Sequence, residues 1–347
     1  MKLNDQITVI IPTHERHYYL KRSLNYWSHI GLKILVADSS ENKYREKIPK
    51  NINYFHYSDK FFIAKIVDIL SKVQTKYTVF CADDDFITKT GLLESIKFLD
   101  KNVDYVVAHG RYISIVPPGN KIEQNGDFCW GPKYESKSNS FDKSEDRLNY
   151  HFENYVCPTF YGVHKTNIIQ IIWEETKKTV NDPMDLSSFI ELLPSMLTVI
   201  LGKVKRLDNL YCAREKALKK SYPSGILNDK KEDDFNDKYE QFRNCLSKHL
   251  SREAGMNIIK AGKVVDECME KYLSKIVKKK SLLSKFKKEL FQFSEKFKFV
   301  GFLRDIYRNS YFHQNRSTSY YTDWPYPKDI EAFNLIRSYV LNHNKSL

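Results

Sequence analysis

Nothing in this chain is long and apolar enough to cross a bilayer. The best run, residues 196–201, is a fraction of the roughly 20 apolar residues that a spanning helix needs. Near the start, residues 7–11 are apolar but too few for the core of a secretion signal, and polar residues follow at once. A protein that is soluble or lies on a membrane surface is expected. Glycine and proline are modest, 12 and 11 among 347 residues, which excludes collagenous and low-complexity classes. The six cysteines are scattered without a CxxC pair, so their spacing indicates neither a zinc site nor a disulfide framework and fits a reducing cytoplasm. No Walker loop, GxGxxG turn, or Ser/His/Asp or Cys/His constellation for nucleophilic catalysis is present.

What the chain does have is a large share of core-forming residues, 41% hydrophobic and 14% aromatic, enough to bury a sizeable interior. Lys and Arg outnumber Asp and Glu by 56 to 43, a formal charge of +13. That excess favours anionic partners: nucleotide phosphates, acidic lipids or nucleic acid. In the first half, short β-branched runs at residues 7–11, 34–37, 77–81 and 105–108 alternate with helical periodicity at 16–30, 63–73 and 91–99, the pattern of βαβ units around a mostly parallel sheet. Residues 117–142, rich in Pro, Gly, Ser and Lys, read as a long loop or lid. After residue 215 the texture turns to Lys-rich helix. Within it, Ile276, Leu283, Phe286, Leu290, Phe293 and Phe297 mark one face of an amphipathic helix whose other faces carry lysines.

The chemistry concentrates where the candidate strands end. Asp83, Asp84 and Asp85 directly follow the run 77–81, and three adjacent carboxylates repel unless a cation or donors compensate them. Mg²⁺, or Mn²⁺ in its place, is held by one or two carboxylates together with substrate phosphate oxygens, so the triplet suits a metal-bridged nucleoside diphosphate. An acidic loop capping the next helix, with Asp85 near its N-terminus, would use the same residues. The first strand runs into Pro12, Thr13, His14, Glu15 and Arg16. The second ends at Asp38, a carboxylate suited to base or ribose donors, though also an ordinary turn residue. Lys65 is either a phosphate ligand or a surface lysine on an exposed helix face.

Taken together, ITVIIPTHER, ILVADSS and TKYTVFCADDDF resemble the opening strand, the base-contacting strand and the DxD strand of the family 2 inverting nucleotide-sugar glycosyltransferases, which have the GT-A fold. The resemblance continues through Ile190, Glu191, Gly202 and VKRLDNLYCAR, and so spans residues 1–215. It implies an α/β GT-A catalytic domain over 1–215, followed by a basic, mainly helical extension over 216–347. Asp38 would contact the base, Asp83 the ribose or metal, and Asp85 the metal as main ligand. Pro12, Thr13, Glu15, Arg16, Lys65 and Asp84 would lie around the donor, and Arg214 near the pyrophosphate. Glu191 falls where the family has its catalytic base, with Asp185 and Asp182 as substitutes, and Tyr161 or His164 would face the acceptor. Two departures stand out: Ser39 where the family more often has a second acid, and Glu191 for Asp with Pro194 in the same helix.

The function expected is metal-dependent transfer of a sugar from a nucleotide-sugar, taken as a UDP-sugar, to a hydroxyl of a glycan or lipid-linked acceptor in bacterial surface polysaccharide synthesis. A cytoplasmic location, peripheral on the inner face of the membrane, goes with it. A nucleotidyltransferase of similar plan would need a Gly-rich turn after the first strand, which Pro12-Thr13-His14 does not supply. A basic nucleic-acid-binding or scaffold protein would fit the charge but lacks a recognition module, so no nucleic-acid partner is expected.

Overall fold

The computed structural model describes residues 3–117, 128–133, 136–156, 159–180, 188–216, 225–296, 321 and 324–344, with side chains described to 278 and again over 321 and 324–342. The apolar runs become buried strands: β1 (Ile7–Thr13), β2 (Lys33–Asp38), β3 (Ile52–His56) and β4 (Tyr77–Phe80). Between them lie α1 (His17–Ile30) and α2 (Phe62–Ser71). Gly31 ends α1 in the left-handed region at φ 72°, its N–H reaching Trp27 O at 3.2 Å, a conformation in which a Cβ is strained.

Beyond β4 come β5 (Asp85–Ile87), α3 (Lys89–Lys101), β6 (Tyr105–Val116), β7 (Cys129–Lys133), α4 (Ser144–Glu153), β8 (Val163–Lys165), α5 (Thr166–Thr179), α6 (Phe189–Leu201) and β9 (Lys203–Glu215). Thr88 starts α3 by accepting the Gly91 N–H on its hydroxyl at 2.9 Å, which satisfies one of the unpaired donors at a helix start. The sequence does not mark β3, and two further segments differ from readings the sequence allows. Asp85 opens a strand rather than a helix, because Phe86 and Ile87 are apolar and pair with Ala213 and Cys212 of β9. Residues 129–133, expected as loop, pair antiparallel with β6, where Pro132 is tolerated on a strand at the side of the main sheet.

The sheet runs β3-β2-β1-β4-β8-β6-β9-β5, with β7 added on β6. Strands β1 to β4, β6 and β9 share one direction; β5, β7 and β8 oppose it. The α/β class with a largely parallel sheet is therefore the one expected. The chain steps outward from β1 through β2 to β3, then returns to the other side of β1 at β4. That reversal leaves a crevice at the carboxyl ends of β1 and β4, the place where open α/β sheets take ligands.

Two apolar cores flank the sheet. One gathers α2, α5 and α6 with the later helices α7 (Ile226–Asp229), α8 (Phe235–Ala254) and α9 (Ile258–Lys296) through Phe189, Phe242, Leu250, Val265 and Met269. The other gathers α1, α3 and the final helix α10 (Ile330–Asn344) through Trp27, Leu92, Phe333 and Ile336. The polypeptide after residue 215 thus covers both faces of the sheet. Among the described residues no helix is long and apolar enough to cross a membrane.

Candidate active site at the strand ends

The crevice is built around the acidic triplet. Thr13, the last residue of β1, donates its hydroxyl to Asp83 Oδ2 at 2.6 Å, a bond from the end of β1 to the loop that follows β4. Arg16, at the mouth of α1, lies 3.4 Å from Asp83 and hydrogen-bonds Asp84. Asp85 faces Arg214 across the β5–β9 ladder, with Nε 2.8 Å from Oδ2. That contact lacks hydrogen-bond alignment, so among the described residues the buried Oδ2 is compensated by charge alone. Asp83 and Asp85 are only 3% and 2% exposed. Burial pushes both carboxyls up to about 7, against the opposing pull of Arg16 and Arg214, because a desolvated carboxylate resists ionising.

One strand over, Asp38 is wholly buried and fully occupied. Its Oδ1 accepts from Ser40 N and Ser40 Oγ at 2.8 and 2.5 Å; its Oδ2 accepts from Tyr54 OH at 2.6 Å and lies 2.8 Å from His17 Nε2. Burial pushes this carboxyl up, but the hydrogen bonds outweigh it and hold it below the ordinary range. In this arrangement Asp38 shapes the loop, while His17, Tyr54 and Ser40 surround it. Glu15 sits in the left-handed region at φ 53°, an uncommon setting for a residue with a Cβ. It is held there because its N–H donates to Ser40 Oγ and its carboxylate accepts the Glu41 N–H. Pro12 is half-buried just before.

Lys65 is not a surface lysine. It is 2% exposed and donates to Thr13 O at 2.9 Å and Ser39 Oγ at 2.8 Å, joining the ends of β1 and β2. Burial pulls its ammonium down to about 8, although Asp38 and Asp83 favour the charge. One further member, Arg22, carries no motif in the sequence, and Tyr161, expected near the acceptor, lies against Arg214. Arg22, 1% exposed on α1, pairs with Glu215 Oε2 at 2.6 Å and crosses the Phe86 ring at 5.0 Å. The only sequence signal for it is an arginine one helical turn before the apolar Tyr26 on α1. Tyr161 stacks under the Arg214 guanidinium at 4.2 Å, and its carbonyl accepts from Tyr211 OH.

Glu191 lies apart, in the first turn of α6, accepting from Tyr155 OH at 3.0 Å. The helix continues through Pro194. No hydrogen bond or ion pair among the described residues joins Glu191 to the triplet. The two are linked through residues 159–161: Thr159 and Phe160 line a small cavity with Glu191, and Tyr161 touches Arg214. On the other side of Tyr155, a cavity of about 390 Å³ is lined by His109, His151, Thr159, Tyr272 and Lys275. His164 is buried, 2.6 Å from Thr159 O, and burial lowers its pKa to about 4, so it is a neutral interior group. Asp182 and Asp185 lie outside the described residues.

As a cation site the triplet has the right chemistry: hard carboxylate oxygens, one buried oxygen without a hydrogen bond among the described residues, and two acids whose ionisation burial makes costly. All three carboxylates do not converge on one point, but two acids completed by substrate phosphate suffice for Mg²⁺.

No known protein family matches this chain, and no curated protein matches it. Among solved structures, S. aureus TarS residues 1–349 is similar over 78% of this chain and 72% of that one, at 14% identity and TM-score 0.45. Its complex with UDP-GlcNAc gives 15% identity and TM-score 0.47, with 78% and 73% covered. The longer TarS structure is matched over 44% of its length, at 13% identity and TM-score 0.46.

Proposed function

We propose that the protein is a nucleotide-sugar glycosyltransferase that uses Mg²⁺ or Mn²⁺ and inverts the anomeric centre. The observation that carries this reading is the Thr13–Asp83 bond, which ties an acidic triplet with two buried, charge-compensated members to the kind of strand-end crevice where open α/β sheets take ligands. Asp85 and Asp83 would hold the metal, which supplies positive charge to the leaving diphosphate. The other groups do the rest from their own positions. Arg16 and Arg214 bring cationic charge to the same edge, where they stabilise the diphosphate as it departs. Lys65 adds a buried ammonium, while Asp38 and Tyr54 shape the pocket for the base. UDP is the nucleotide expected.

Glu191 accepts the proton of the acceptor hydroxyl as it attacks opposite the leaving group, by analogy with inverting glycosidases. Tyr155 orients it. The cavity beside Tyr155, with His151, Tyr272 and Lys275 in its wall, takes the acceptor, a glycan or lipid-linked chain of a bacterial surface polysaccharide, and Tyr161 closes the donor side. The test is a hydrolysis screen of nucleotide-sugars with Mn²⁺ or Mg²⁺. One donor is expected to be cleaved in a chelator-sensitive way, with Asp85→Ala inactive but folded; near wild-type, EDTA-sensitive activity in Asp85→Ala would contradict the assignment.

A further inference from the structure

Away from the sheet edge, the packing of α5 against α8 gathers a second set of chemically reactive side chains. Cys245 and His249 lie four residues apart on α8, one helical turn, and so share a face. Glu175 reaches them from α5. His249 Nε2 is 3.1 Å from Glu175 Oε2, and the thiol, imidazole and carboxylate atoms all lie within 4.8 Å of one another. Cys245 and His249 are 8% and 3% exposed, while Glu175 is half-buried and leaves the cluster open on one side.

We propose that Glu175, Cys245 and His249 form a zinc-class metal site that ties α5 to α8. One sulfur, one nitrogen and one oxygen donor are the set that Zn²⁺ accepts in tetrahedral coordination, with water in the fourth position; Mg²⁺ and Ca²⁺ favour oxygen alone. The sequence carries the signal as Cys-x-x-x-His at helical spacing, which a search for paired cysteines passes over. In the metal-free arrangement the ammonium groups of Lys178 and Lys248 neutralise Glu175 at 2.8 and 3.7 Å. Both side chains are about two-thirds exposed or more, so their heads swing into solvent at little cost when the ion takes their place. Arg252 Nη2, 3.4 Å from His249 Nδ1, likewise withdraws, since that nitrogen carries the proton once Nε2 binds metal. The thiol proton passes to solvent. The bound ion then fixes the contact between the α/β layer and the C-terminal helices, far in sequence from the acidic triplet and sharing no residue with it.

The full-length protein, stripped with chelator, is titrated with Co²⁺ as the probe. One ion per chain is expected, with visible ligand-field bands and a near-ultraviolet thiolate-to-cobalt band that Zn²⁺ bleaches. Cys245→Ser is expected to abolish the thiolate band, and Glu175→Gln to weaken binding at least about tenfold. Zn²⁺ is expected to raise the melting midpoint of the wild type by a few degrees and not that of Cys245→Ser. Absence of the thiolate band in folded wild-type protein, or its survival in Cys245→Ser, overturns the proposal. Should Cys245→Ser fail to fold, the wild-type band and the Glu175→Gln titration decide it.

Discussion

Asp83 shows how a single residue carries opposite demands. Without a cation, its burial makes ionisation costly, and Arg16 repays only part of that cost. The sign follows from linkage: an acid whose folded pKa is raised costs stability wherever the unfolded chain is ionised. Between the ordinary value of 3.8 and about 7, the cost grows with rising pH and is complete above that window. Asp83→Asn removes it while Asp84 keeps Arg16 paired, so the metal-free variant is expected to be more stable than wild type at pH 8, by on the order of a few kcal/mol, and no more stable than wild type near pH 4. A uniform loss at both pH values in calorimetry would contradict this. The acidic triplet was legible in the sequence because three adjacent acids after an apolar run are rare and chemically loud. Lys65 and Arg22 were not, because the burial of a long cationic side chain is decided by which strand ends meet it, and that depends on contacts 52 and 62 residues away.

At the scale of elements, periodicity located β1, β2, β4, α1, α2 and α3 to within a few residues. Their apolar spacing is intrinsic, and tertiary contacts moved only their ends, lengthening β1, β2 and α3 and shortening β4, α1 and α2 by a residue. The short strands β5 and β8, three residues each, have no periodicity to read; they exist because partners in β9, β4 and β6 offer them hydrogen bonds. The proposed function puts most weight on helix α6, which would present the base Glu191 from its first turn. Thr198 donates its hydroxyl to Pro194 O at 2.7 Å, and the helix runs unbroken although Pro194 cannot donate to Ile190. If Glu191 takes the acceptor proton, Glu191→Gln keeps its bond from Tyr155 and its volume but loses basicity. Turnover is expected to fall about 10²-fold or more with donor-nucleotide affinity retained. Activity within a few-fold of wild type, measured by steady-state kinetics, would move the role to another carboxylate, Asp185 first.

The whole molecule combines a +13 charge with C-terminal helices that embrace both faces of the sheet. The apolar stripe expected in the long helix splits accordingly. Its first member, Ile276, packs on the core together with Tyr272 and Leu273, so this end of α9 braces the α/β layer; the later members, from Leu283 onward, and Lys279 to Lys288 lie outside the described side chains. Lys278 is exposed. With each lysine worth on the order of 1 kcal/mol beside an anionic leaflet, weak, salt-sensitive sedimentation with anionic vesicles is expected, lost when the lysines at 278–280, 285, 287 and 288 become Gln. Pelleting that ignores those changes would leave the helix as a brace alone. The central claim remains the nucleotide site at the β1–β4 crossover, and titration calorimetry of UDP against the intact protein tests it most directly. The account predicts saturable 1:1 binding that requires Mn²⁺ or Mg²⁺, vanishes with EDTA and is lost in Asp85→Ala; no binding of any nucleoside diphosphate with either cation, or binding indifferent to EDTA and to Asp85→Ala, would contradict it.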